Sequence, residues 1–152
     1  MKIRLANKFD MPRLIDMLWH YNDITNVINN SGTNLTVDND KTLIKILSHI
    51  FAGGGLAIVS EQDNKLTGML LSIINPYMWD NTKLIMIEIM YWVEPEYRKT
   101  RAGYLLLKKY IELCDEMKES GRIKNFTISK MEGQTLDYSR FGFKPIEQTW
   151  SM

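Results

Sequence analysis

At 152 residues the chain has room for one domain, and a domain of that length buries roughly two thirds of the surface its unfolded form exposes. Its 45% apolar and 24% charged content exclude a disordered or fibrous chain, and a net charge of +1 argues against nucleic acid as the main partner. Cys114 is the only cysteine, which excludes an internal disulfide and speaks against a cysteine-based zinc site. With no apolar leader and no run of ~18 apolar residues, a soluble, cytoplasmic protein without membrane contact is expected.

Lys2 to Ala6 alternates polar and apolar residues, the pattern of a half-buried strand. Asp10 as N-cap and Pro12 in the first turn start a helix with Leu14, Ile15, Leu18 and Trp19 at helical spacing. Asn22 to Asn39, rich in Asn, Thr, Ser and Gly, is expected to be a loop with room for a short helical piece around Val27. A second helix is expected from Asp38 or Asp40, with Leu43, Ile44, Leu47 and Ile50 on one side, ended by Gly53-Gly54-Gly55.

Leu56 to Ser60 and Lys65 to Ile74 make a hairpin across the turn residues Glu61 to Asn64. Pro76 to Thr82 is expected to be a loop, and Leu84 to Val93 a long apolar strand interrupted by one carboxylate, Glu88. A helix follows from about Arg101 to Ser120, with Leu106, Tyr110, Leu113, Cys114 and Met117 on one face and Gly121 at its end. Asn125 to Ser129 is a strand, Gln134 to Phe141 a short helix closed by Gly142, and Phe143 to Trp150 a last strand. The order β-α-α-β-β-β-α-β-α-β predicts an α/β fold, one domain over residues 1–152, with a mixed sheet and helices on both faces.

The segment Val93-Glu94-Pro95-Glu96-Tyr97-Arg98-Lys99-Thr100-Arg101-Ala102-Gly103 carries the strongest chemical signal. An apolar strand runs into a basic, glycine-containing turn and then into a long helix. That order aims unpaired backbone N–H groups and the positive end of the helix dipole at one point, which suits a phosphate or pyrophosphate. Residues 99 to 103 supply the donors, and Gly103 lets the backbone come close. The alternative is a solvated, charged helix start.

The element order and several motifs resemble the GNAT superfamily of N-acetyltransferases. Ile3-Arg4-Leu5-Ala6 followed by Asp10 and an amphipathic helix resembles the family's opening. The family's acyl-CoA loop reads Arg or Gln, two residues, Gly, one residue, then Gly or Ala; Arg98 fills the first position and Gly103 the last, with Arg101 in place of the middle glycine. This Arg-x-x-Arg-Ala-Gly form resembles that of phage-encoded members. Tyr138-Ser139-Arg140-Phe141-Gly142-Phe143 is similar to the Tyr-x-x-x-Gly-Phe that closes the fold.

The resemblance implies acetyl-CoA as co-substrate and direct attack by an acceptor amine on the thioester. It places Arg98, Lys99, Thr100, Arg101, Ala102 and Gly103 at the pyrophosphate. It has the backbone of Tyr91, Trp92 and Val93 hold the pantetheine and polarise the thioester carbonyl. It makes Tyr138 the acid that protonates the departing thiolate, unless that ring only packs under the last strand. Dimers are common among such proteins, so a homodimer is compatible with it.

Glu88 is the base candidate on its own residue pattern, because burial in an apolar strand raises a carboxylate toward the working range. A place on the solvated sheet edge or beside a cation is the alternative. His20, near the end of the first helix, is either an assisting base or an exposed helical histidine, and His49 belongs to a helix surface. Cys114 belongs to the core, and no metal site is expected. Trp19, Tyr21, Tyr77, Trp79 and Trp92, with Asp23 or Asp80, either wall a site for a cationic amine or serve as core and rim. A second functional reading keeps the fold without turnover, as a CoA-binding regulator or a structural protein such as a virion component. Arg101 in the glycine position favours it, as does the absence from Met131-Glu132-Gly133 of the asparagine that often precedes the family's last helix.

Overall fold

Among the described residues five strands hydrogen-bond in chain order: β1 (Lys2–Leu5), β2 (Gly55–Gln62), β3 (Lys65–Tyr77), β4 (Asp80–Val93) and β5 (Asn125–Thr127). All neighbours are antiparallel except the parallel pair β4–β5. The computed structural model describes residues 1–29, 40–131 and 136–150, with backbone alone for 25–29. The β2–β3 turn places Asp63 and Asn64 at φ 51° and 60°, the left-handed pair that a two-residue hairpin requires and that Asp and Asn tolerate best among non-glycine residues.

Among the described residues three α-helices cover the sheet: α1 (Met11–Asn29), α2 (Asp40–His49) and α3 (Ala102–Glu119). Leu14, Met17 and Leu18 of α1 and Leu47 of α2 pack on Val59, Met69, Leu71 and Trp92. Leu106, Leu107, Tyr110 and Cys114 of α3 pack on Ile58, Leu70 and Met86 from the other face. Adjacent residues of β2 and β3 therefore bury on opposite sides, which is why their sequences are continuous apolar runs rather than alternations. The fold class is the expected mixed sheet between helical layers.

Several boundaries differ from expectation, each for a physical reason. Asp10 does not cap α1. It closes a 3-10 turn, Lys8–Asp10, that Asn7 caps, and it accepts the N–H of Asn7 at 2.8 Å and the guanidinium of Arg4 at 2.7 Å. Helix α1 continues through the expected loop as far as Asn29, because Tyr21 and Ile24 bury against the core and packing outweighs the weak propensity of Asn, Asp and Thr. Residues 30–39 lie outside the described residues. The expected loop at Pro76 to Thr82 is a hairpin instead, with Tyr77 opposite Asp80 and Met78 and Trp79 at its exposed tip. Pro76 is tolerated there because it adjoins a bulge on a stretch that β2 no longer accompanies beyond Ile73.

The expected last helix reduces to a 3-10 turn, Tyr138–Phe141, closed by Gly142 at φ 89°; residues 134 and 135 lie outside the described residues. Residues 143–150 form no strand. Pro145 removes a ladder donor early in that segment, and Ile146 and Trp150 are exposed rather than buried against the sheet.

Candidate active site

The site lies where two strands part. Parallel pairing of β4 with β5 runs from Ile85 opposite Asn125 to Ile87 opposite Thr127 and then stops. Beyond it, the backbone N–H of Ser129 donates to Oε2 of Glu88 at 2.9 Å, so a side chain replaces the next rung. From Glu88 to Val93 the outer edge of β4 has no strand partner among the described residues.

A bulge decides which side chains share a face. Ser72 of β3 pairs with Glu88 and Leu71 with Met90, leaving Ile89 as the extra residue. Side chains at 86 and 88 therefore share the α3 face with those at 91 and 93, while Met90 and Trp92 turn to the α1–α2 face. Glu88, Tyr91 and Tyr138 meet at a small cavity of about 60 Å³, also lined by Tyr21, Ile89, Ser129 and Met131.

Glu88 is 5% exposed and makes no ion pair among the described residues. Burial pushes its carboxyl up to about 7, against the opposing pull of the Ser129 N–H. Among the described residues, then, Glu88 is neither solvated nor paired to a cation. Burial, then the nearby Glu88 charge, push the Tyr91 hydroxyl up to about 12. Tyr138 is raised further, by burial first and then by Tyr91 and Glu88, and Tyr21 is raised by burial and Glu88. One carboxyl that titrates near neutrality thus sits among three hydroxyls that keep their protons there.

The basic turn sits at the far end of β4. A 3-10 turn, Pro95–Tyr97, leads into Arg98, whose Nε donates to the Val93 carbonyl at 3.0 Å and whose guanidinium lies 4.6 Å from the Trp92 ring centre. Thr100 donates to the Tyr97 carbonyl at 2.6 Å and accepts the Ala102 N–H at 3.2 Å. The backbone N–H groups of Lys99, Arg101, Gly103 and Tyr104 make no hydrogen bond within the described residues. Four free donors at the start of an 18-residue helix, with Arg98, Lys99 and Arg101 exposed beside them, fit a pyrophosphate. Arg101 has φ −81°, so the position that departs from the glycine pattern needs no glycine.

Gly103 has a second task. A Cβ there would come 3.2 Å from Oη of Tyr91, which donates to the Gly103 carbonyl at 2.6 Å. The glycine lets α3 close onto β4, and the tyrosine links the helix start to the Glu88 cavity.

Of the aromatic residues singled out for the acceptor, Tyr21 reaches the cavity and meets Trp92 edge-on at 5.8 Å between ring centres. Trp92 itself is core. Trp19 donates to Asp40, Tyr77 stacks under Lys124, and Trp79 stands 78% exposed at the hairpin tip beside Asp80, which is held by Thr82. Asp23 is exposed and does not line the cavity. His20 falls in the middle of α1, not near its end, with Nδ1 3.0 Å from Glu94. Ser129, which enters the site through its backbone N–H, carries no sequence signal, and Glu94 lies in the basic-turn segment with nothing in the sequence to mark its contacts with α1. Cys114 is buried on the inner face of α3, and burial pushes its thiol up to about 12. Among the described residues no helix is long and apolar enough to cross a membrane, and no group of three His, Cys, Asp or Glu side chains is placed to hold a metal ion.

A mixed sheet that splays at a parallel pair, with free N–H groups at the head of the helix after β4, matches the α/β fold of the acyl-CoA-dependent transferases. The chain belongs to the acetyltransferase (GNAT) family, whose model matches residues 16–143. Its activity is transfer of an acetyl group from acetyl-CoA, the co-substrate, to an amine.

Solved structures share the fold at low identity. A predicted acetyltransferase from Clostridium acetobutylicum, solved with acetyl-CoA, is 17% identical, with 99% of this chain and 94% of that one covered and a TM-score of 0.72. An acetyltransferase from Trypanosoma brucei is 17% identical over 99% and 97%, with a TM-score of 0.69. An aminoglycoside acetyltransferase from an uncultured soil metagenomic sample, in complex with sisomicin, is 15% identical over 99% and 95%, with a TM-score of 0.66. No curated protein matches the chain by sequence.

Proposed function

We propose that Glu88 is the general base and Tyr138 the general acid of the acetyl transfer. The acceptor nitrogen bonds to the thioester carbonyl carbon and the carbon–sulfur bond breaks. Glu88 takes the proton that the nitrogen loses, directly or through a water, and Tyr138 gives its own to the departing thiolate. A carboxyl raised to about 7 is substantially ionised at neutral pH yet still basic enough to hold a proton. The Tyr138 hydroxyl carries its proton at neutral pH and so has one to give, although the burial that raises it also makes it a weaker acid.

Acetyl-CoA supplies the activated acyl group. The free N–H groups of Lys99, Arg101, Gly103 and Tyr104, with the charges of Arg98, Lys99 and Arg101, are its pyrophosphate site, and Ala102 and Thr100 hold that turn in shape. The open edge of β4 at Tyr91, Trp92 and Val93 offers backbone partners to the pantetheine amides. The acceptor enters beside Tyr21, where an aromatic wall next to the Glu88 carboxylate suits a cationic amine. A cytoplasmic setting agrees with a lone, buried, unpaired thiol.

The observation that carries this reading is Glu88, buried and without a counter-ion among the described residues, sharing one cavity with Tyr91 and Tyr138 at the strand splay. Its test is thiol release from acetyl-CoA across a panel of primary amines, from polyamines and aminoglycosides to peptide N-termini. Turnover of one class, lost in both Glu88→Gln and Tyr138→Phe, is expected. Binding of acetyl-CoA with no turnover of any amine would favour the non-catalytic, CoA-binding alternative.

A further inference from the structure

We infer that Glu94 and Arg13 form a brace that sets the position of the anion-binding turn, making both of them positioning residues for acetyl-CoA. The inference rests on the pyrophosphate role proposed above for that turn.

Glu94 is the first residue after β4 and is 4% exposed. A buried carboxylate is costly to leave unpaired, and its removal from a partner is strongly destabilising. Glu94 finds two partners on α1: Nη2 of Arg13 at 2.8 Å from Oε1, and Nδ1 of His20 at 3.0 Å from Oε1 and 3.3 Å from Oε2. Positions 13 and 20 lie two helical turns apart on one face, so α1 grips the carboxylate from two points. The backbone of Glu94 is held as well, its N–H donating to Thr67 and its carbonyl accepting from Tyr97, both at 2.9 Å.

What lies behind the turn makes this grip matter. A cavity of about 520 Å³ opens between the start of α1 and the turn, with Arg13, Lys65, Leu66, Glu96 and Tyr97 in its wall. The turn is therefore not backed by close packing on that side. Hydrogen bonds hold it: Glu94 to α1 at one end, and Arg98 to Val93 at the other. Without Arg13 the Glu94 carboxylate keeps only its contact with His20, and it either swings out and carries the turn with it or stays near the pyrophosphate without the guanidinium charge beside it. Both outcomes weaken a ligand that has a pyrophosphate and spare one that lacks it.

The experiment compares dissociation constants for acetyl-CoA and for S-acetylpantetheine, which lacks the pyrophosphate, in wild type, Arg13→Met and Arg13→Lys. Arg13→Met is expected to weaken acetyl-CoA roughly ten- to hundred-fold and to leave S-acetylpantetheine within about twofold, the scale of a misplaced binding group. Arg13→Lys, which can still reach Glu94 with one charge, is expected to recover most of the loss. If Arg13→Met does not fold, Glu94→Gln carries the test, with a smaller but equally selective loss expected. Equal losses for both ligands, or no loss in a folded Arg13→Met protein, would overturn the brace. A wild type that binds the two ligands equally tightly would instead remove the pyrophosphate role of the turn, and the brace with it.

Discussion

The backbone N–H of Ser129 donates to the Glu88 carboxylate at 2.9 Å, at the point where β5 leaves β4. That contact keeps a buried carboxyl oriented without giving it a cation. Its consequence for stability has a definite sign. An unfolded glutamate titrates at 4.5 and the folded Glu88 at about 7, so between those values the native state binds more protons than the unfolded one. Wild-type stability should therefore fall as pH rises from 4.5 to about 7, through this group, by an upper limit of roughly 3 kcal/mol. Glu88→Gln keeps an acceptor for Ser129 and removes the titration. Chemical denaturation across that range should show the variant gaining on wild type as pH rises; parallel curves would mean that the carboxyl ionises normally.

Tyr138→Phe tests the acid. The Tyr138 ring meets that of Phe143 at 6.1 Å between centres, a contact that phenylalanine retains, so the variant should fold and bind acetyl-CoA as wild type does. Loss of the proton donor should lower kcat about a hundred-fold or more. Steady-state kinetics beside a binding isotherm separates the two effects. Unchanged turnover would leave Tyr138 with packing alone.

Gly103 and Tyr91 should be coupled. An alanine Cβ at 103 would stand 3.2 Å from the Tyr91 hydroxyl, which itself donates to the Gly103 carbonyl. Tyr91→Phe alone should cost about 1 kcal/mol for the lost hydrogen bond. In a Gly103→Ala background the same change relieves a close contact, so its cost should shrink or reverse. Urea denaturation of the four proteins measures the difference, and strict additivity would show that the contact is not felt.

Much of the fold was legible because helical spacing in α3 and apolar runs in β2, β3 and β4 are strong signals. Glu88 stood out as the lone carboxylate between Leu84 and Val93, and Arg98 to Gly103 as a basic turn at a helix start. What stayed hidden depended on contacts between distant segments. Residues 85 to 93 are mostly apolar at both odd and even positions, so no alternation reveals the bulge at Ile89 that puts Glu88 and Tyr91 on one face. Ser129 enters the site through its backbone N–H, which no side-chain pattern marks. Helix α1 outran its polar composition because Tyr21 and Ile24 bury. Gly103 was expected to serve the ligand alone, yet Tyr91 already fills the space next to it.

The most direct test of the account is the pH dependence of kcat/KM with acetyl-CoA and an accepted amine, for wild type and Glu88→Gln. With Glu88 as base, the wild-type rate rises with pH through an inflection near 7, and the variant, slower at its plateau, loses that inflection. An identical inflection in the variant would contradict it, because the titrating base would then be some group other than Glu88.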